Sequence, residues 1–202
     1  MSSVQPFPPA RVMGEEDPDE RLVERCLEGD RAAFAMLVRR YQRPIHHAAY
    51  RVLGRQEDAS DVTQAVFLKM VERMRDFDPR YRFFSWIYRI AINEALNVLR
   101  RNGRDDPLDA DEEPEGPESA NPEWKASEAE TSRKIQRALM RMKPTDRAVI
   151  TLRHFSECSY EEIAVALDID VKTVKSRLFE ARTRMRALLE ELRPSYGTEA
   201  TR

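Results

Sequence analysis

The sequence is poor in cysteine and glycine, and both shortages exclude whole classes of site. Its 202 residues include two cysteines, Cys26 and Cys158, which are too few and too far apart for a disulfide framework or a paired-cysteine metal site. We expect both to be reduced thiols. Six glycines, and no P-loop, GxGxxG or nucleophile-elbow motif, leave little material for a phosphate cradle. We therefore predict no metal, no cofactor and no catalytic site.

Long apolar runs are also missing. No stretch approaches the roughly 20 apolar residues that a membrane helix needs, so we predict no membrane insertion. The first twenty residues hold four prolines and five acids but no apolar core, which does not fit a signal peptide. The expected location is the cytoplasm.

The nearly balanced charge hides an uneven layout. The chain has 34 basic and 36 acidic residues, but residues 105–130 alone hold eleven acids, four prolines and one lysine. The rest of the chain therefore carries a net charge of plus eight, which suits a nucleic-acid partner. The acidic segment has too few large apolar residues to offset its ordering entropy, so we predict a flexible linker.

Apolar residues recur at helical spacing on both sides of this segment, and no strand alternation appears. An apolar stripe predicts a helix that Asp30 caps, Pro44 interrupts and Gly54 ends. The next helix is expected to begin near Ser60 and the one after it around Ser85. The predicted helices of this half of the chain span residues 30–53, 60–74 and 85–101.

The second half carries a capped helical pair. Two helices separated at Lys143 and Pro144 are followed by Ser159 and Glu162, which fit a capping box and open a helix ending near Leu167. After a tight turn, Asp170 is the expected cap of a last helix. Two helices over a turn of this length have helix-turn-helix geometry.

We therefore predict an all-α chain of two small helical domains joined by a flexible acidic linker. The predicted bounds are 1–20 for a disordered N-terminal extension, 21–104 for the first domain, 105–130 for the linker, 131–193 for the second domain and 194–202 for a tail.

Each predicted domain has a candidate nucleic-acid surface. The last helix has a buried stripe and a basic face with six Lys or Arg residues against Glu180 within residues 171–186, which favours a recognition helix over a merely solvated face. The first domain has five aromatics within residues 81–88, interleaved with arginine. Such rings suit stacked bases, although Trp86 is expected to be buried in any case. Asn93 and Asn97 lie one turn apart and can reach base edges.

These motifs together resemble a known family. The stretch from Asp30 to Arg101, with EDASDVTQAVFLKM and FFSWIYRIAINEALNVLRR, resembles the second domain of bacterial extracytoplasmic-function (ECF) sigma factors. The stretch from Leu139 to Leu189, with SYEEIAVALDIDVKTVKSRLFEARTRMR, resembles their fourth domain. The resemblance implies a non-enzymatic promoter-specificity subunit of RNA polymerase, with the polymerase core and promoter DNA as its partners.

The resemblance also implies a role for particular residues. Those expected to dock on the β′ clamp helices of the polymerase are Asp58, Asp61 and Gln64. Those expected at the melted minus-10 element are Arg80, Arg82, Phe83, Phe84, Trp86, Asn93 and Asn97. Those expected in the major groove of the minus-35 element are Lys172, Thr173, Lys175, Ser176, Arg177 and Phe179.

Three departures from the family pattern bear on specificity and control. Asp168 stands where the family usually has the glycine of the turn, and Glu180 stands where it commonly has a basic residue. The minus-35 sequence that this chain prefers is therefore not predicted. Ser60 and Ala65 stand where acids are usual, beside Thr63. If Ser60 caps the helix, phosphorylation of Thr63 would add about −1.5 to −2 charge near a helix end that favours anions.

Two modes of regulation and two alternative functions are compatible with the sequence. A Ser/Thr kinase acting on Thr63 and an anti-sigma factor are competing modes of control, and an ordinary exposed threonine is the simpler interpretation of Thr63. A helix-turn-helix regulator would bind duplex DNA without polymerase, and a helical adaptor would bind only proteins.

Overall fold

The computed structural model describes residues 17–103 and 125–192, with side chains from residue 130 in the second range. Every regular element in these ranges is helical, as the sequence predicts. The helices are α1 (Asp19–Leu27), α2 (Arg31–Leu53), α3 (Gln56–Arg73), α4 (Phe83–Arg101), α5 (Lys125–Met140), α6 (Pro144–Ile150), α7 (Tyr160–Leu167) and α8 (Val171–Glu191). A 3₁₀ turn follows α3 and a π-helical turn, Thr151–Phe155, follows α6.

The long helix α2 has the predicted ends but not the predicted break. Asp30 Oδ1 accepts hydrogen bonds from the amides of Ala32 at 2.8 Å and Ala33 at 3.2 Å, and Gly54 ends the helix at φ 79°. The expected interruption at Pro44 is wrong, because α2 runs through it. Pro44 is exposed, so water can replace the amide donor that proline removes.

Helix α3 starts four residues earlier than predicted. Its first residue is Gln56, and Arg55 precedes it without a side-chain cap. Glu57 and Asp58 lie in the first turn, where negative charge favours the helix dipole. Ser60 is therefore inside the helix and not its cap, which corrects the prediction. Helix α4 likewise begins two residues before Ser85.

A short helix that the sequence pattern did not single out covers α2. Helix α1 buries Leu22 and Val23, and the carboxylate of Asp19 pairs with Arg40 and accepts from the hydroxyl of Tyr41. This contact adds a fourth helix to the first domain.

The helix-turn-helix has the predicted local geometry. Ser159 Oγ accepts from the amide of Glu162 at 3.1 Å, and Glu162 Oε2 accepts from the amide of Ser159 at 2.7 Å. Asp168 takes the left-handed conformation, with φ 53°, and Asp170 Oδ1 accepts from the amide of Thr173 at 2.8 Å. These caps fix the angle at which α8 leaves the turn.

Replacing Ser159 with alanine is expected to lower the free energy of unfolding by about 1 kcal/mol, because the amide of Glu162 loses its side-chain acceptor. Chemical denaturation followed by circular dichroism measures this change. Ser132→Ala, at an exposed position of α5, is the control and should leave stability within about 0.5 kcal/mol of wild type. Equal stability of the two variants would contradict the capping account.

The two domains pack directly against each other. Helices α2 and α4 contact α5, α6 and α7, and the buried apolar residues of both domains form one continuous cluster. Gln136 Nε2 donates to the Tyr50 carbonyl and Arg147 Nη1 to the Val52 carbonyl, each at 3.0 Å. The structure is therefore a closed arrangement of the domains.

Candidate nucleic-acid interface and docking face

Helix α8 presents the expected basic face to solvent. Lys172, Lys175, Ser176 and Phe179 are exposed, and the Phe179 ring is 72% exposed. The opposite face is buried or half-buried against the rest of the domain, as its apolar stripe predicts. An exposed aromatic ring beside two lysines suits a groove that offers both methyl groups and phosphates.

The other two predicted residues of α8 are less accessible. Arg177 and Thr173 are half-buried, and the hydroxyl of Thr173 donates to Asp170 Oδ2 at 2.7 Å. Thr173 therefore helps to hold the N-terminus of α8. Glu180 is exposed among the bases.

Positive charge continues along α8 and onto the π-helical turn that contains Arg153. Arg182, Arg184 and Arg186 are exposed. Arg182 Nε donates to His154 Nε2 at 3.0 Å, and burial lowers the pKa of His154, so the neutral ring accepts this bond. Tyr160 lies between two cations, with the Arg153 guanidinium 5.0 Å and the Lys175 ammonium 5.8 Å from the ring centroid. This side of the domain is strongly cationic.

The aromatic segment divides between core and surface. Phe83 is only 1% exposed, and its ring centroid lies 5.5 Å from those of Tyr41, Phe77 and Trp86. Phe84 and Trp86 are half-buried. Phe83 therefore offers no free face to a base in this arrangement.

The most exposed aromatic ring near the N-terminus of α4 is Tyr81, two residues before the helix begins. It is 52% exposed and lies between Arg80, which pairs with Asp78, and Arg82, whose guanidinium is 5.3 Å from the Phe84 centroid. The prediction left Tyr81 out of the candidate residues, although it stands in the same aromatic run. The arginines on either side of Tyr81 were the feature of the sequence that could have marked it as a candidate for base stacking.

The two candidate asparagines lie half-buried on α4. Asn97 Oδ1 accepts from Arg100 at 2.5 Å, and its amide lies 3.5 Å from Glu94 Oε1. Glu94 in turn pairs with Lys69 of α3 at 2.5 Å. Asn93 is also half-buried, one turn earlier on the same face.

Helix α3 carries an exposed stripe that we name the docking stripe, formed by Asp61, Gln64, Leu68 and Val71. Leu68 is 63% exposed and Val71 is 58% exposed, whereas other apolar residues of the same helix, such as Val62 and Val66, are buried. Exposed apolar residues rimmed by polar ones mark protein-binding surfaces. The predicted polymerase-docking residues did not include Leu68 or Val71, although the helical period places both on the face opposite the buried Val66. Asp58 is half-buried beside this stripe.

Thr63 is buried. Both interpretations drawn from the sequence, a phosphorylation site and an ordinary exposed threonine, assumed an accessible side chain. Its side chain is 6% exposed, and its hydroxyl donates to the Ala59 carbonyl at 2.7 Å. It borders a surface pocket of about 430 Å³ between α2 and α3. The pocket is lined by Arg39, Gln42, Arg43, His46, Ser60, Thr63 and Gln64.

The described residues contain neither a metal-site cluster nor a membrane-spanning helix. No group of three or more His, Cys, Asp or Glu side chains there is arranged to hold a metal ion. None of the described helices combines the length and the apolar content needed to cross a bilayer.

Comparison with known proteins decides the family. Residues 37–105 match the sigma-70 region 2 family model, and residues 132–185 match the sigma-70 region 4 model. The chain is 34% identical over 187 residues to the RNA polymerase sigma-H factor of Pseudomonas aeruginosa, covering 88% of this chain and 96% of that protein. It is 36% identical over 179 residues to the ECF RNA polymerase sigma-E factor of Escherichia coli K12, covering 84% and 93%.

The chain belongs to the ECF family of sigma factors.

Two solved structures have the same fold. The structure of CnrH in complex with the cytosolic domain of CnrY is 26% identical, has a TM-score of 0.67 and covers 88% of this sigma factor and 100% of that chain. The sigma factor RpoE from Bartonella quintana, in complex with the anti-sigma factor NepR, is 20% identical, has a TM-score of 0.61 and covers 79% and 98%.

The family match assigns the candidate surfaces of this sigma factor to its two regions. The docking stripe and the aromatic segment lie within region 2, and the exposed face of α8 lies within region 4. The two regions occur in the expected order, on either side of the acidic segment. Its residues 105–124 lie outside the described ranges, whereas α5 begins inside the predicted linker at Lys125.

Proposed function

We propose that this sigma factor binds core RNA polymerase through the docking stripe and directs initiation at promoters by reading a minus-10 and a minus-35 element. The observation that carries the proposal is the pairing of an exposed apolar and polar stripe on α3 with an exposed basic face on α8. A sigma factor needs both, since it must hold the polymerase and a DNA sequence at once. Asp58, Asp61 and Gln64 are the proposed polar contacts.

At the minus-10 element, the N-terminus of α4 is the proposed contact with melted DNA. Arg80, Arg82 and Phe84 can meet phosphates and bases there, and Asn93 and Asn97 can meet base edges along the same helix. The exposure of Tyr81 supports adding it as a stacking platform, which is worth about 1–3 kcal/mol per base. Phe83 and Trp86 act mainly by holding this surface rigid.

At the minus-35 element, α8 is the proposed major-groove helix. Lys172, Lys175 and Arg177 supply attraction to phosphate and guanine, and Ser176 and Phe179 face the base edges. Thr173 acts through the cap that it shares with Asp170. Glu180 repels phosphate but can accept a hydrogen bond from cytosine, so it influences which promoters are chosen.

An anti-sigma factor is one proposed mode of control. Both solved relatives described above are complexes, one with an anti-sigma factor and one with the cytosolic domain of CnrY. A protein that covers the docking stripe would prevent polymerase binding directly. This mode needs no change in Thr63.

Phosphorylation of Thr63 is the other proposed mode of control. The helix end that the sequence analysis expected to stabilise the phosphate is not beside Thr63, because α3 begins at Gln56. Thr63 is inside α3 and borders a pocket that is also lined by Arg39 and Arg43, so a phosphate there would be held by guanidinium groups and not by a helix end. Its burial requires α3 to loosen from α2 before a kinase can reach the hydroxyl.

For this mode, Thr63→Ala is expected to abolish inducible transcription, and Thr63→Glu to raise polymerase affinity about threefold, since a carboxylate supplies part of the phosphate charge. Reporter activity and core-binding titration measure the two effects. Ser60→Ala, which removes the neighbouring hydroxyl, should behave as wild type. Full induction in Thr63→Ala, with no gain in Thr63→Glu, would exclude phosphorylation at this position.

The function itself is tested by what the purified protein binds. We expect it to co-elute with core polymerase in gel filtration and to form a sequence-specific complex with promoter DNA only when the core is present. A helix-turn-helix regulator would bind the duplex tightly and specifically without the core. A protein-only adaptor would bind no DNA in either condition.

A further inference from the structure

Helices α2 and α3 face each other across the pocket that Thr63 borders, and each presents a polar face to it. The lining residues of α2 are spaced i, i+3, i+4 and i+7, and those of α3 are spaced i, i+3 and i+4, so each set lies on one helical face. They are Arg39, Gln42, Arg43 and His46 on α2, and Ser60, Thr63 and Gln64 on α3. None of these residues is acidic and none is apolar. We name this space the cationic pocket.

Two guanidinium groups in the cationic pocket lack a partner of opposite charge. Arg39 and Arg43 are exposed, and no ion pair formed by the described residues includes either of them, whereas the neighbouring Arg40 pairs with Asp19. A spacing of four residues places Arg39 and Arg43 side by side on α2, where like charges disfavour the helix. A bound anion would remove this repulsion.

Neutral hydrogen-bonding groups complete the lining of the cationic pocket. Ser60 Oγ lies 3.4 Å from His46 Nε2, so a side chain of α3 meets one of α2 there. Gln42 and Gln64 are exposed and contribute side-chain amides. The pocket has a volume of about 430 Å³. Since small-molecule sites enclose about 300–1,000 Å³, it has room for an organic group as well as an ion.

The donors of the cationic pocket match a phosphate group better than a carboxylate. A phosphate monoester carries about −1.5 to −2 charge at neutral pH and has three strong acceptor oxygens, whereas a carboxylate has a single charge and fewer oxygens. Each guanidinium can bond two phosphate oxygens at once, and the glutamine amides can donate to the others. The matching ligand class is therefore a small molecule that bears a phosphate group.

The cationic pocket adjoins the docking stripe, because Gln64 belongs to both. The proposed polar contacts of the stripe include the exposed carboxylate of Asp61, which suits a partner surface that presents positive charge. The unpaired guanidinium groups of Arg39 and Arg43 repel such a surface. A bound phosphate offsets their charge, so it should strengthen docking of the polymerase.

We propose that the cationic pocket binds a phosphate-bearing small molecule, and that its occupancy strengthens docking on core polymerase. Phosphorylation of Thr63 would bring a phosphate to the same pocket covalently, whereas this ligand needs no kinase and leaves Thr63 unmodified. The binding site stands on the geometry of the free chain. Its effect on docking rests on the proposed function.

Binding is tested by isothermal titration calorimetry on the full-length protein, which mass spectrometry first shows to be unphosphorylated. The two probes are inorganic phosphate and ribose 5-phosphate, at neutral pH and constant ionic strength. We expect saturable binding at one site per chain, with a dissociation constant of about 1 mM or below for at least one probe. Tighter binding of ribose 5-phosphate would identify a phosphate ester as the ligand, and equal or weaker binding would identify free phosphate.

Joint Arg39→Gln and Arg43→Gln substitution removes both guanidinium groups from the cationic pocket. It should weaken binding of the probe at least about tenfold, because charge-assisted hydrogen bonds are lost. The matched control is joint Arg21→Gln and Arg31→Gln substitution, which removes the same charge at exposed positions outside the pocket and should bind as wild type. All four arginines are exposed, so both variants should fold, which circular dichroism checks.

The effect on docking is measured by titrating labelled protein with core polymerase, in phosphate and in chloride of the same ionic strength. Phosphate should tighten binding of the wild type about threefold. The pocket variant should bind the core equally well in both salts, and at least as tightly as the wild type does in chloride.

Three outcomes would contradict the proposal. Absence of saturable binding, or equal binding of the probe by the pocket variant and the control, would remove the site. Binding of the probe without any tightening of docking would overturn its effect on the polymerase. If the wild type does not bind the core in either salt, the proposed function fails, while calorimetry still reports whether the cationic pocket binds phosphate.

Discussion

Replacing Leu68 with aspartate is expected to weaken binding to core polymerase by at least about 30-fold, which corresponds to roughly 2 kcal/mol or more. Leu68 is 63% exposed at the middle of the docking stripe, so the change removes apolar contact at the proposed centre of the interface. The fold should be unaffected, since no buried contact is lost. Titration of fluorescently labelled protein with core polymerase measures the affinity.

The control for this change is Leu27→Asp, at another exposed leucine, on α1 and outside the docking stripe. It introduces the same charge and removes the same side chain, and it should bind the core as wild type does. Equal weakening in both variants would indicate a general charge effect. Normal affinity in Leu68→Asp would remove α3 from the polymerase interface.

Joint replacement of Lys172 and Lys175 with alanine is expected to reduce promoter affinity of the polymerase holoenzyme about 10-fold to 100-fold. Both lysines are exposed on α8, and each proposed phosphate contact contributes counterion release. The slope of log affinity against log salt should therefore become shallower by about two. Competition binding over a salt series measures both quantities.

A matched pair of substitutions removes the same charge elsewhere. Arg21 and Arg31 are exposed in the first domain, away from α8, and their replacement with alanine should leave the salt slope nearly unchanged. A slope that stays at the wild-type value in the α8 variant would mean that these lysines contact no phosphate. Shallow slopes in both pairs would mean that only net charge matters.

Local chemistry explains which parts of the fold the sequence could predict. The caps at Asp30, Asp170 and the Ser159–Glu162 box depend on residues within three positions of each other, so their motifs are visible in the chain. The left-handed conformation of Asp168 was likewise predictable from the turn. The interruption at Pro44 was wrong, because a proline on an exposed helix face loses a bond that water can replace.

Contacts between distant parts of the chain could not be predicted in this way. Gln136 and Arg147 look like ordinary surface residues of a helix, yet both are buried on carbonyls of α2 about 90 positions away. Phe83 and Phe84 are neighbours in sequence, but only the structure shows which ring enters the aromatic cluster. By contrast, the exposure of Leu68 was predictable from the helical period, which places it on the face of α3 opposite the buried Val66 and Met70.

The most direct test of the central claim is run-off transcription with the purified chain, core RNA polymerase and a library of genomic promoter fragments. The account predicts products from a distinct subset of fragments, sharing two sequence elements about 25 base pairs apart, only when the chain and the core are both present. Loss of these products in Leu68→Asp should accompany its loss of core binding. Products that are the same with and without the chain would contradict the account.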